Sequence, residues 1–166
     1  MFLLSASFVD CKKEDDGLND LAVLSALSGG GDCVVDFPGK AAVTVNRTRV
    51  TKGGSATVTW GRIPFVNHPI AIVEILGAQS GNTVVFNGAD VVENPQASGE
   101  ATVYAASNCP LAESDIIDGF DAFNSGTFGD ATPGPYTWTN TVDGSYYFLL
   151  YIVGTTEIST TVTYSN

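Results

Sequence analysis

The chain has 166 residues, of which 44% are hydrophobic and 15% charged, and its formal net charge is −11. This length fits one domain with a hydrophobic core and a short extension, and a second full domain is not expected. Eighteen glycines and many Thr, Val, Ser and Asn residues are typical of an all-β extracellular module. Because an acidic surface repels phosphate backbones, the charge argues against nucleic acid as a partner.

Charge is distributed unevenly along the chain. From Ile63 to the end there are eleven acids and no Lys or Arg. Residues 37–62 carry five cations and no acid, namely Lys40, Arg47, Arg49, Lys52 and Arg62. The asymmetry has two interpretations, which the sequence leaves open: solubility alone, or head-to-tail association or binding of a charged host or cell-wall polymer.

The chain begins with an apolar stretch, Phe2 to Val9, that ends just before Cys11. It is too short for a membrane span and has the length of a signal-peptide core, but only Met1 precedes it. Either these residues form an ordinary buried strand, or the start codon lies inside a longer leader. The polar run "KKEDD" after Cys11 favours the leader.

The stretch "SASFVDC" followed by "KKEDDGLND" resembles the lipobox and polar tether of bacterial lipoproteins, in particular the surface lipoproteins of leptospires. Asp10 departs from the small residue usual before the cysteine, a departure that matches the relaxed lipoboxes of spirochaetes. The resemblance implies a partial signal peptide at residues 1–10, lipid on Cys11, and a flexible tether over residues 11–32. It also implies an outer-membrane lipoprotein at the cell surface, with the membrane as a partner through the lipid.

The other two cysteines are Cys33 and Cys109. In an exported protein they are expected to form a disulfide, which leaves Cys11 single; the alternative is two free thiols in a cytosolic protein. No cysteine belongs to a CxxC pair and His68 is the only histidine, so a structural zinc is not expected.

Residues 33–166 are predicted to form one domain, because apolar and polar residues alternate almost throughout it. In "SATVTW" the pattern points Ala56, Val58 and Trp60 to the core, after a turn at residues 52–54. In the preceding strand Val43 and Val45 lie on the same side as Arg47 and Arg49, so this side cannot face the core throughout. A bulge or a change of sheet near Asn46 would resolve the conflict. "HPIAIVEILG" and "SYYFLLYIV" are apolar on both faces, and "GTT" at residues 154–156 predicts a hairpin to the last strand.

The sequence "TVDGSYYF" resembles the corner before the penultimate strand of immunoglobulin-like domains, where a tyrosine hydroxyl bonds back to the backbone. Asp143, Gly144 and either Tyr146 or Tyr147 would form that corner. The resemblance implies an all-β fold, an antiparallel immunoglobulin-like β-sandwich of seven or eight strands. A jelly roll is the alternative.

No catalytic motif is recognisable, so the chain is predicted not to be an enzyme and to need no cofactor. Its predicted function is a non-catalytic binding or structural module at the envelope surface, in contact with a host or envelope protein or a glycan. The alternative is a carbohydrate-binding or calcium-dependent accessory domain, for example one used in adhesion. It would use the acidic loop 113–135, with Asp115, Asp118 and Asp121 as Ca²⁺ candidates, or an aromatic platform of Trp138, Tyr146, Tyr147 and Tyr151.

Overall fold

The computed structural model describes residues 31–36, 41–88, 99–117, 135–152 and 159–166. Within these ranges the chain forms twelve short strands and one 3₁₀ turn, Glu113–Asp115. The strands are β1 Cys33–Val35, β2 Val43–Val45, β3 Arg47–Val50, β4 Ser55–Thr57, β5 Gly61–Arg62, β6 Pro69–Ala78, β7 Thr83–Asn87, β8 Gly99–Ala105, β9 Ile116–Ile117, β10 Tyr136–Thr139, β11 Gly144–Ile152 and β12 Thr161–Ser165. The described part of the chain contains no helix long and apolar enough to cross a membrane.

Two larger sheets and one two-stranded ribbon account for these strands. The six-stranded sheet has the order β3-β6-β11-β8-β9, with β5 also paired to β6, and the four-stranded sheet has the order β10-β7-β12-β4. The ribbon consists of β1 and β2. The all-β prediction is therefore confirmed, although the strands number twelve where seven or eight were predicted.

The two larger sheets share the main hydrophobic core. It contains Val73 and Ile75 of β6 and Phe148 of β11 from one sheet, and Phe86 of β7 and Val162 of β12 from the other. These residues recur at every second position because successive side chains of a strand point to opposite faces. The predicted inward set is also confirmed, since Val58 is buried and Ala56 and Trp60 pack against this core.

The ribbon covers the other face of the six-stranded sheet and makes a second core. Val35 and Val45 of the ribbon pack with Ile72 of β6 and Leu149 of β11, and all four side chains are buried. Strands β6 and β11 are therefore apolar on both faces because each lies between two layers. The last glycine of "SGGG" permits a close approach here, since a Cβ on Gly31 would lie 2.4 Å from the carbonyl carbon of Val45.

The chain changes sheet at Asn46, which is one of the two alternatives that the sequence pattern left open. Strand β2 ends at Val45 in the ribbon, and β3 begins at Arg47 as an edge of the six-stranded sheet. Strand β3 runs parallel to β6, with Arg47 opposite Ile72 and Arg49 opposite Glu74. The prediction of purely antiparallel pairing is wrong for this pair, because a strand that leaves one layer for another need not return as a hairpin.

The predicted hairpin between the last two strands is also wrong. Strand β11 pairs with β6 and β8, whereas β12 pairs with β4 and β7 in the opposite sheet. The predicted turn residues 154–156 lie outside the described residues. The connection therefore crosses between the two sheets, a step that a short turn sequence does not distinguish from a hairpin.

The tyrosine predicted to bond back to the backbone is Tyr146. Its hydroxyl donates a hydrogen bond to the carbonyl oxygen of Val142 at 2.5 Å, and its ring packs on Trp138 with 4.7 Å between centroids. The neighbouring Asp143 accepts a hydrogen bond from the backbone amide of Ser80 at 2.7 Å. The corner before β11 is thus tied both to itself and to the turn after β6.

Replacing Tyr146 with Phe removes this hydroxyl and keeps the ring. We expect the free energy of unfolding to fall by about 1 kcal/mol, because the Val142 carbonyl loses its protein partner. Urea unfolding followed by fluorescence measures the change. Tyr151→Phe is the comparison: it removes a hydroxyl that is hydrogen-bonded to His68 outside this corner, and so shows the cost of losing such a bond elsewhere. An unchanged midpoint for Tyr146→Phe would show that the bond to Val142 contributes nothing.

Candidate binding site

Cys33 and Cys109 form a disulfide in the structure, across a sequence separation of 76 residues. The bond joins β1 to the segment after β8, and the same segment is hydrogen-bonded to the ribbon. The amide of Leu111 donates to the carbonyl of Val34 at 2.9 Å, and the amide of Asp36 donates to the carbonyl of Leu111 at 2.8 Å. The predicted lipid site Cys11 lies outside the described residues.

A buried carboxylate, Glu74, lies at the centre of a charged cluster on the ribbon side of the six-stranded sheet. Its side chain is 2% exposed. Arg47 donates from Nη1 to one carboxylate oxygen at 3.1 Å, and Arg49 donates from Nε to the other. The hydroxyl of Tyr147 donates to the first oxygen at 2.9 Å.

The cluster extends to the ribbon through Arg47, whose Nε and Nη2 both donate to Oδ2 of Asp32, at 3.1 and 3.0 Å. Two arginines thus balance two carboxylates. Burial, followed by the hydrogen bond to Glu74, raises the pKa of Tyr147 to about 12, so its hydroxyl stays protonated and continues to donate. Because both carboxylate oxygens of Glu74 have hydrogen-bond partners within the cluster, we assign this cluster to stability and not to ligand binding.

The calcium candidates receive no support from the described residues. The carboxylate of Asp115 accepts a hydrogen bond from the backbone amide of Ala112 at 2.9 Å and so closes the 3₁₀ turn. Asp118 and Asp121 lie outside the described residues. In the described ranges no three His, Cys, Asp or Glu side chains form a group that could hold a metal ion.

The predicted aromatic platform is wrong, because its members do not share an exposed face. Trp138 and Tyr146 are buried between the two larger sheets, and Tyr147 is buried on the ribbon side. Tyr151 is half-buried, and its hydroxyl forms a hydrogen bond of 2.6 Å with Nδ1 of His68. Alternation along β11 sends Tyr146 and Tyr147 to opposite faces, which a platform does not allow.

An exposed aromatic residue occurs elsewhere, at the turn between β5 and β6. Phe65 is 94% exposed and Val66 is half exposed. Phe65 has φ of +69°. The residues on either side of it are hydrogen-bonded, because the amide of Val66 donates to the carbonyl of Pro64 at 2.9 Å and closes a γ-turn with Phe65 at its centre. A γ-turn with positive φ at its centre is rare and strained, and an L-residue other than Asn or Asp seldom adopts this conformation.

The base of this turn is held in place by further hydrogen bonds. The amide of Ile63 donates to the carbonyl of His68 at 3.0 Å, and the amide of Asn67 donates to the carbonyl of Ile63 at 2.9 Å. Arg62 Nη1 donates to the carbonyl of Asn67 at 2.8 Å. The turn therefore displays the Phe65 ring on a fixed support, at a conformational cost that the ring does not offset by burial.

A surface cleft of about 430 Å³ lies beside the turn. The residues that line it include Trp60 and Phe65, Asn46 and Asn67, and Arg62, and none of the lining residues is an Asp or a Glu. Ligand sites commonly combine aromatic surface with a few polar groups in this way. We call residues 63–66, of which Phe65 and Val66 are exposed, the Phe65 turn, and treat the turn and its cleft as the candidate binding site.

Replacing Phe65 with Asn tests whether the Phe65 ring contributes to the stability of the fold. We expect the free energy of unfolding to rise by up to about 1 kcal/mol, because Asn tolerates positive φ and the exposed ring loses no burial. Val66→Asn is the matched control, since Val66 is exposed but has no positive φ. A large loss of stability in Phe65→Asn alone, measured by urea unfolding, would show that the ring supports the fold.

Sequence reasoning missed both the Phe65 turn and the Glu74 cluster, although each has a signal. Four apolar residues in a row, "IPFV", lie between Arg62 and Asn67, where a turn is normally polar. Glu74 is the only charge within "IAIVEIL", and a charge in a buried strand requires a partner of opposite charge. Comparison with known proteins adds nothing to these observations, because no protein-family model, curated protein or solved structure matches the chain.

Proposed function

We propose that the chain is a membrane-anchored lipoprotein whose β-rich domain, an immunoglobulin-like sandwich, is a non-catalytic binding module at the cell surface. The Phe65 turn is its contact site. The observation that carries the binding role is the display of Phe65, 94% exposed at φ of +69°. A strained backbone that holds an apolar ring in water does not serve folding, whereas it does serve a contact that buries the ring.

The anchoring part of the proposal rests on the lipobox-like stretch that ends at Cys11 and on the disulfide. A disulfide between Cys33 and Cys109 suits an oxidising compartment outside the cytoplasm. It also removes both domain cysteines from the thiol pool and so leaves Cys11 for a lipid. Stable anchoring requires about two acyl chains, which a diacylglycerol supplies.

Intact-mass analysis of membrane-extracted protein tests the anchor. We expect a chain that begins at Cys11 and carries a diacylglycerol, and we expect Cys11→Ser to carry no lipid and to keep its leader. A wild-type protein recovered in soluble form with residues 1–10 still attached would contradict the lipoprotein assignment.

The binding role is tested with the Cys11→Ser chain against a panel of purified envelope glycans, envelope proteins and host matrix proteins. Phe65→Asn is expected to weaken any binding by at least about tenfold, the effect of losing a buried aromatic anchor. Leu76→Asn is the control, because Leu76 is also an exposed apolar residue but lies outside the cleft. An equal loss of binding affinity in both variants would show that the Phe65 turn is not the contact site.

Carbohydrate binding is the second candidate. It is favoured by the cleft beside the turn, whose lining residues include the aromatic residues Trp60 and Phe65 together with Asn46 and Asn67. A sugar ring would stack on an aromatic face while its hydroxyls accept hydrogen bonds from the amides. The glycan part of the panel separates this candidate from binding to a protein.

A further inference from the structure

The end of the molecule opposite the Phe65 turn carries a second surface cleft, of about 330 Å³. Its wall is formed by the end of β8 and the start of β11, with Ala105, Val142, Asp143 and Tyr146 among its residues. Val142 is 65% exposed, so the apolar wall is open to solvent. We call this the Val142 cleft.

The Phe65 turn and the Val142 cleft lie at the two ends of one strand. The turn is followed, after Asn67 and His68, by Pro69, the first residue of β6. The last residue of β6, Ala78, pairs with Gly144, which lines the Val142 cleft. Ten residues of extended chain separate the two sites by about 30 Å. A protrusion and a recess at opposite ends of a rigid strand are suited to a contact between successive copies.

Size and surface character match as well. An apolar cavity of about 150 Å³ can hold a benzene molecule, so the Val142 cleft has room for one phenyl ring. The Phe65 turn exposes the side chains of Phe65 and Val66, and the residues that line the Val142 cleft include Val142, Ala105 and Tyr146. Contact between two apolar surfaces of this kind lowers the free energy, because each surface removes the other from water.

The charges of the two sites are also complementary. Arg62 is at the base of the turn, and the wall of its cleft contains no carboxylate. Asp143 is exposed in the wall of the Val142 cleft, which contains no Lys or Arg. This follows from the uneven sequence, in which Arg62 is the last cation. Such complementarity orients two surfaces and disfavours the pairing of like ends.

We propose that the chain associates head to tail with itself, the Phe65 turn of one copy entering the Val142 cleft of the next. The inference rests on the proposed binding role of the Phe65 turn and names a second copy of the chain as its partner. The contact is heterologous, so each bound copy leaves one turn and one cleft free, and association continues into open strings unless the rotation closes a ring. The small protrusion makes each contact weak and reversible.

Sedimentation velocity of the full chain with Cys11→Ser tests the proposal, because that background removes lipid and any disulfide through Cys11. We expect the average size to increase with protein concentration. Phe65→Asn and Val142→Lys should each weaken association by at least about tenfold, since one removes the anchor and the other places a cation in the cleft. Leu76→Asn, which alters neither site, should associate like the parent chain.

Mixing the two defective variants is the decisive measurement. Phe65→Asn retains an intact cleft and Val142→Lys an intact turn, so together they should form a one-to-one heterodimer and nothing larger. Ala105→Lys, on the opposite wall of the cleft, gives a second variant should Val142→Lys prove unstable in urea.

Three results would overturn the proposal: a parent chain that stays monomeric at every concentration, a Val142→Lys chain that associates normally, or a mixture that stays monomeric. Each can be distinguished from failure of the proposed binding function. A monomeric parent chain that still loses binding to the ligand panel through Phe65→Asn would overturn self-association and retain the turn as a binding site.

Discussion

Removing the disulfide is expected to lower the free energy of unfolding by about 4.5 kcal/mol, the value that the chain-entropy model assigns to a bridge of this span. The Cys33–Cys109 bond closes a separation of 76 residues. It also holds the ribbon against the six-stranded sheet, so its loss exposes the second core around Val35 and Leu149. Since single domains have only about 5–15 kcal/mol of stability in total, the reduced protein is expected to be close to unfolding.

The test is urea unfolding of the oxidised protein, of the protein in reductant, and of the double variant Cys33→Ala, Cys109→Ala. Cys11→Ser is the matched control and is expected to unfold like the parent chain with and without reductant. Equal midpoints for the oxidised and double-variant proteins would mean that the ribbon is held by packing alone. A shifted midpoint for Cys11→Ser would contradict the assignment of Cys11 to a tether.

Arg47→Met is expected to lower the free energy of unfolding by about 3 kcal/mol, because it leaves a buried carboxylate with fewer partners. Arg47 is 15% exposed and contacts both Glu74 and Asp32, whereas Arg49 is 63% exposed and contacts Glu74. When Arg47 is lost, Glu74 keeps Arg49 and the hydroxyl of Tyr147, and the ribbon loses its ion pair through Asp32.

The double variant Arg47→Met, Glu74→Leu should recover only part of this loss. Apolar residues of similar size replace buried ion pairs at little cost, but the buried hydroxyl of Tyr147 loses its acceptor. Lys52→Met is the control; it removes an exposed contact with Gln79 and should change stability by less than about 0.5 kcal/mol. A double variant less stable than Arg47→Met alone would show that Glu74 stabilises the fold without Arg47. A full double-mutant cycle in urea measures this coupling.

The prediction of local features from the sequence was accurate where each depends on neighbours along the chain. Alternation placed Ala56, Val58 and Trp60 on the core side, and the mixed pattern around Asn46 located the change of sheet. The resemblance of "TVDGSYYF" to a tyrosine corner located the hydrogen-bonded tyrosine as either Tyr146 or Tyr147, and the structure shows that it is Tyr146. Each of these features spans only a few residues, so the amino-acid pattern reduces it to one or two alternatives.

The prediction failed where a feature depends on distant parts of the chain. The proposed aromatic platform placed Tyr146 and Tyr147 on one surface, while the structure buries them in two separate cores. The predicted hairpin between β11 and β12 is absent because β12 pairs with β4 and β7, which lie more than seventy residues away along the chain. Many pairings of similar strands satisfy the same alternation, and packing of the whole molecule selects among them.

The sequence alone determined that this protein is all-β, which side of the strand around Val58 faces inward, and which two cysteines could pair outside the cytoplasm. The tertiary structure alone decided that the ribbon covers the second face of β6 and β11, that Glu74 is neutralised by two arginines, and that Phe65 remains exposed. The reason is physical. Alternation and turn preference are properties of adjacent residues, whereas burial and exposure depend on which distant segments are brought into contact.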